Sequence, residues 1–71
     1  METNHLEKLL DEQEAAPYVG VRRKTLANWR VEGVGPKFLR VGGRVRYHPR
    51  DISEWLDGRR VQSTSELSKV A

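Results

Sequence analysis

Apolar residues recur at helical spacing in three stretches of the chain and alternate in one. The first helical stretch follows Asp11, where Ala15, Ala16 and Val19 supply one apolar face. Asp11 is a good N-cap, and Glu14 sits three residues on as its capping-box partner. Glu12 and Glu14 also face the positive end of the helix dipole. Pro17 conflicts with the pattern, because it lacks an N–H and its ring meets the carbonyl four residues back. The spacing predicts a short helix, Glu12 to Val19, that Pro17 threatens to distort and Gly20 closes. Leu26, Trp29 and Arg30 then follow i, i+3, i+4 spacing, which predicts a second helix from Arg23 to Glu32 with Leu26 and Trp29 on its buried face. Gly33 and Gly35-Pro36 stop it. Two short helices joined at Gly20-Val21 make a helix-turn-helix signature.

The period changes over residues 37 to 47. Phe38-Leu39-Arg40-Val41 and Val45-Arg46-Tyr47 alternate apolar and basic residues, as half-buried strands do, with Gly42-Gly43 between them. A strict two-residue turn would mix apolar and charged residues on one face. Adding Arg44 to the loop pairs Val41 with Val45 and Leu39 with Tyr47, and leaves Arg40 and Arg46 together on the other face. The apolar pattern favours this three-residue loop, with Arg44 at the tip. A last helix starts at Pro49, a favoured first helical residue, with His48 as a weak N-cap. Ile52, Trp55 and Leu56 form its apolar face, Gly58 ends it, and Arg59-Arg60 sit near the negative end of its dipole. The expected fold is mainly α with a small β-hairpin: helix, turn, helix, two-stranded wing, helix.

At 71 residues the chain holds one domain, and a domain this small buries only about 60% of its unfolded surface. It has no cysteine, so no disulfide or thiolate metal site is expected, and His5 and His48 are too few for a zinc cluster. No apolar run approaches the roughly 18 residues that cross a bilayer, and Met1 to Lys8 is polar and mixed in charge, so no secretory signal is expected there. A location in the cytoplasm is the expectation. Residues 1–8 are expected to be flexible, although His5 to Leu10 has the makings of a helical turn. The folded domain is expected over 9–60, and residues 61–71 form a Ser/Thr-rich tail expected to be disordered.

Charge is unevenly placed. Residues 1–19 carry five acids against Lys8, a net −4, and residues 51–71 net −1. Residues 20–50 carry nine bases against Glu32, a net +8 within an overall +3. Such a footprint suits a polyanion, or else is a solvated basic face, and the placement of the bases decides between them.

From Leu9 to Leu56 the sequence resembles the excisionase and AlpA-type group of small winged helix-turn-helix proteins, relatives of the MerR DNA-binding domain. The resemblance rests on Leu10 to Ala16, Gly20-Val21, Thr25-Leu26 with Trp29-Arg30, Glu32-Gly33, Pro36, Val41 to Tyr47, and Asp51-Ile52 with Trp55-Leu56. It implies that the second helix enters a major groove and that the wing follows the backbone or reaches an adjacent minor groove. It also implies double-stranded DNA as ligand, with a phage integrase and further copies of the chain along the DNA as partners, in a bacterial host. Excisionases bend DNA in several copies and steer integrase toward excision, whereas AlpA-type members activate transcription. Two positions depart from the family: Arg22 stands where Ser or Asp usually caps the helix, and Ala27 and Asn28 replace larger or basic residues.

With Leu26 and Trp29 in the core, the helix wheel puts Lys24, Ala27, Asn28 and Val31 on the opposite face. Asn28 is the best direct reader, because an amide can bond adenine N6 and N7 together; otherwise it is an ordinary exposed polar residue. Arg22, Arg23 and Lys24 cluster at the helix start, to meet base edges or phosphates. Thr25 is a phosphate donor or a local cap, and Arg30 a backbone contact or a cover for the core. In the wing, Arg40, Arg44 and Arg46 are candidates for phosphate or a narrow minor groove, against the plainer role of charges that protect an exposed strand edge. Trp29, Tyr47 and Trp55 have the spacing of core residues rather than of stacking platforms.

His48, Asp51 and Ser53 lie close in sequence, but only His48 titrates near neutrality, and no phosphate loop or nucleophile elbow is present. No catalysis, cofactor or metal is expected. Three readings remain: an architectural recombination factor, a transcription regulator on the same fold, and a protein-interaction module whose basic face meets an acidic partner. Between copies, the acidic first segment, through Glu12 and Glu14, is a candidate to meet the basic centre head to tail.

Overall fold

The capping box at Asp11 starts the fold as its residues dictate. In the computed structural model, which describes residues 7–64, the Glu14 amide donates to Asp11 Oδ1 at 2.8 Å and the Asp11 amide to Glu14 Oε1 at 3.0 Å. Helix α1 (Glu12–Val19) runs through Pro17 and ends at Gly20, whose φ of +90° only glycine adopts without strain. Helix α2 (Arg23–Glu32) starts at Arg22 with no side-chain cap and ends at Gly33, φ +75°. Both helices close alike: Val21 N–H reaches back to the Ala16 carbonyl at 3.2 Å, and Val34 N–H to that of Trp29 at 3.0 Å. These six-to-one bonds satisfy carbonyls that a helix end otherwise leaves open. Expectations for residues 1–6 and 65–71 lie outside the described residues.

Strands β1 (Leu39–Val41) and β2 (Arg44–Arg46) form the antiparallel wing. The three-residue loop expected from the apolar pattern is not what forms. Val41 pairs with Arg44, Arg40 with Val45 and Leu39 with Arg46, leaving a two-residue turn of Gly42 and Gly43. Both glycines have positive φ, +58° and +84°, as the type I′ hairpin turn requires. Alternation sets the register only where the apolar wing residues face the core together. They do not: Leu39 and Val41 are 38% and 49% exposed, so they exert little pull on register, and the turn decides it. Arg44 therefore opens β2 instead of forming the tip. It shares a face with Arg46, Leu39 and Val41, while Arg40 lies on the other face with Val45.

Helix α3 (Pro49–Asp57) follows, capped by His48, whose Nδ1 accepts from the Arg50 amide at 3.0 Å. The segment before α1 is extended at Leu10, not a helical turn. Leu10 exchanges two backbone bonds with Tyr47, of 2.9 and 2.7 Å, and so ties the entry of α1 to the exit of the wing. α1 packs on both α2 and α3. The core consists of Ala15, Ala16, Val19, Leu26, Tyr47 and Ile52, flanked by Leu10, Val21, Trp29, Val45 and Trp55. Trp29 and Trp55 meet at 5.5 Å between ring centroids and join α2 to α3. Leu56, on the same apolar face of α3 as Ile52 and Trp55, remains 37% exposed.

The two-residue turn makes a prediction about the wing. Gly42→Asn keeps the preferred Asn-Gly I′ pair and should leave stability unchanged. Gly43→Val forces a β-branched residue to positive φ and should cost about 1–2 kcal/mol. Urea midpoints, with cross-strand nuclear Overhauser contacts between Val41 and Arg44, check both the energies and the register.

Candidate nucleic-acid interface

One carboxylate joins the elements that carry the candidate residues. Glu12 lies in the first turn of α1, Arg30 in the last turn of α2, and Tyr47 just beyond β2. Arg30 donates from Nε to Glu12 Oε2 at 2.6 Å and from its second guanidinium nitrogen to Oε1 at 3.3 Å. The Tyr47 hydroxyl donates to the same Oε2 at 3.0 Å. The Glu12 and Arg30 side chains are 14% and 24% exposed, and a forked, charge-assisted pair in such a place is far better defined than a surface ion pair. The Arg30 guanidinium holds the Glu12 carboxyl below its ordinary value, against burial, which pushes it up, and the Tyr47 hydroxyl assists. Glu12 in return raises the pKa of Arg30. Burial first, then the bond to Glu12, pushes the Tyr47 hydroxyl up to about 12.

This cluster places Arg30. Its guanidinium is turned back onto α1, and it also lies 6.0 Å from the centroid of the Phe38 ring. Both carboxylates weighed for head-to-tail contact between copies have partners within the chain. Glu12 is held by Arg30 and Tyr47, and Glu14 by the capping box and by Lys8 at 3.4 Å.

The other cations of the candidate elements differ in their partners. Beyond α3, Arg59 stacks over Trp55 at 3.9 Å from the ring centroid, and Arg60 pairs with Asp57 at 3.0 Å. Arg22 and Lys24 at the start of α2, and Arg40 and Arg44 in the wing, are exposed and form no ion pair or side-chain hydrogen bond among the described residues. Arg23 is exposed too, and its charge contributes to lowering the pKa of Glu12. Arg46 is half-buried and donates to its neighbour's carbonyl, Val45 O, at 2.7 Å. Thr25 is half-buried and makes no local cap among the described residues, and Asn28 is exposed without a hydrogen-bond partner among them.

The arrangement therefore presents a helix start and a hairpin that both carry cations unpaired among the described residues, while Glu12 bonds α1 to the far end of α2 and to Tyr47 after the hairpin. Sequence reasoning missed Glu12 as a positioning residue, because its partners lie 18 and 35 positions away and no short-range spacing reveals them. His48 and Asp51, weighed for catalysis, form a helix start, in which the Asp51 amide donates to the His48 carbonyl at 2.9 Å. Among the described residues, no cluster of three metal-ligating side chains occurs, and no helix is long and apolar enough to cross a membrane.

Residues 9–60 match the sequence profile of a family described as "Helix-turn-helix domain". No curated protein matches the chain.

Glu12→Gln removes the charge that holds Arg30 and should destabilise the domain by about 1–3 kcal/mol, and Tyr47→Phe by about 1 kcal/mol. The depressed Glu12 pKa contributes stability above its ordinary value of 4.5, and this is lost as pH falls through the folded-state value. The raised Tyr47 pKa contributes stability below its ordinary 10.0 that is lost as pH climbs toward 12. Urea unfolding across pH should show both limbs in the parent, a flatter acid limb in Glu12→Gln and a flatter alkaline limb in Tyr47→Phe.

Proposed function

Because the chain belongs to the helix-turn-helix domain family, DNA-binding domains that include the excisionase and AlpA-type small proteins, we propose that it is a sequence-specific, DNA-bending architectural protein, an excisionase that directs integrase-mediated excision. The observation that supports this reading is the division of the cations. Arg30, Arg59 and Arg60 find partners within the chain, while Arg22, Lys24, Arg40 and Arg44 find none among the described residues. Unpaired cations on a helix start and on a hairpin suit the phosphates that flank a groove.

In this reading α2 lies in the major groove. Arg22, Arg23, Lys24 and Thr25 meet phosphates and base edges at its start, and Asn28 reads a base. Arg30 serves through Glu12, holding the angle at which the helix is offered. The wing follows the backbone into the neighbouring minor groove, with Arg44 and Arg46 on one face and Arg40 on the other. The chemistry is binding and deformation of DNA, without catalysis. Several copies load along an attachment region, bend it, and present it to a phage integrase in the bacterial cytoplasm.

The reading is tested by gel shift on the attachment region of the element that encodes the chain, across a salt series. Neutralising about five to eight phosphates makes binding fall log-linearly with salt. Arg44→Ala should weaken binding to all DNA and lower the salt slope by about one, while Asn28→Ala should relax sequence preference. Cooperative ladders with bent DNA support the excisionase role. A single palindromic operator with altered promoter output would instead make the chain a transcription regulator. Absence of binding at low salt would assign the basic face to an acidic protein partner and end the DNA reading.

A further inference from the structure

The proposed reading face of α2 carries its charge at one end only. Lys24, Ala27, Asn28 and Val31 recur at i, i+3, i+4, i+7 and so share one face of the helix. The stripe spans about 10 Å along the axis, or about three base-pair steps. Leu26 is fully buried and Trp29 packs against the core, which turns this stripe away from the rest of the domain. Val31 is 78% exposed, more than any other exposed large hydrophobic among the described residues, and Asn28 beside it has no hydrogen-bond partner there. Arg30, the cation nearest Val31 in sequence on α2, is drawn away to Glu12 at 2.6 Å.

The chemistry of base edges limits what such a stripe can read. Guanine O6 and N7 call for an arginine or lysine, and cytosine N4 for a carboxylate. Beyond Lys24 the stripe offers neither. An asparagine amide matches adenine N6 and N7, and small apolar side chains match the thymine C5-methyl group, which no other DNA base carries in the major groove.

Resting on the DNA-binding reading, we propose that Asn28 and Val31 form a specificity site for adjacent A·T pairs in the major groove. Asn28 bonds the adenine, and Val31, with Ala27 behind it, receives the thymine methyl group. The cations at Arg22, Arg23 and Lys24 set the helix on the backbone, and this uncharged patch selects the sequence beneath it.

The experiment starts by selecting duplexes from a random pool with the full chain at moderate salt. The selected site should hold adjacent A·T pairs beneath α2, located by footprinting. Each selected thymine is then replaced by deoxyuridine, which removes only the major-groove methyl and leaves the minor-groove edge unaltered. The parent should lose about four-fold in affinity at one such position, the worth of one buried methyl group. Val31→Ala should discriminate less between the thymine and uridine duplexes, and its urea midpoint should match the parent because the side chain is exposed. G·C pairs beneath α2, indifference of the parent to deoxyuridine, or undiminished discrimination by Val31→Ala would each overturn the proposal while leaving DNA binding intact. Failure to retain any duplex at low salt would overturn the DNA-binding reading itself.

Discussion

The relation between the second helix and the wing depends on the carboxylate of Glu12. A core of six buried residues, two of them alanines, offers little area to fix the angles between three short helices and a hairpin. Glu12 supplies direction where apolar contact supplies only proximity. Its two oxygens accept from the end of α2 and from the residue that follows β2. Placing a carboxylate and a guanidinium out of water is costly unless every polar atom is answered, and here the fork of Arg30 and the hydroxyl of Tyr47 answer it. The exchange of backbone bonds between Leu10 and Tyr47 anchors the same corner a second time. α1, which carries none of the candidate DNA contacts, is thus the element on which both contacting elements are mounted.

The same cluster sorts the positive charge. A net +8 between residues 20 and 50 reads from composition as one basic block, but the fold assigns its members different work. Arg30 becomes a strut, and Arg46 bonds backbone of its own strand. The start of α2 and the exposed wing arginines are left to face outward. The charge made in this way is uneven: a strongly basic start of one helix, an uncharged stripe beyond it, and a cationic hairpin. Such an arrangement suits a ligand whose charge lies at the edges of a groove and whose information lies at its floor.

What the sequence by itself determined is local. Asp11 with Glu14, Gly20, Gly33 and Pro49 mark helix ends because caps and left-handed closures act within five or six residues. The i, i+3, i+4 spacing of Leu26 and Trp29 places the buried face of α2 for the same reason, so the element order, the helix boundaries and the family were all legible. The basic residues of the candidate site were legible as a set, since charge is read directly from composition.

Only the tertiary structure decided which of those residues are free. Arg30 and Glu12 are 18 positions apart, and nothing in the spacing of either shows that they meet. The wing register went against the alternation of Leu39, Val41 and Val45, because that rule applies only where the core covers a strand face, and here it covers little of β1. With burial withdrawn, the two positive-φ glycines set the register and moved Arg44 from the tip into the strand. Leu56 stays partly exposed on the apolar face of α3 for a related reason, since a helical stripe shows which face turns inward and not how far a small core extends beneath it. Periodicity reports a residue's direction from its own backbone; its partner depends on chain that returns from elsewhere, and that is decided only when the whole domain packs.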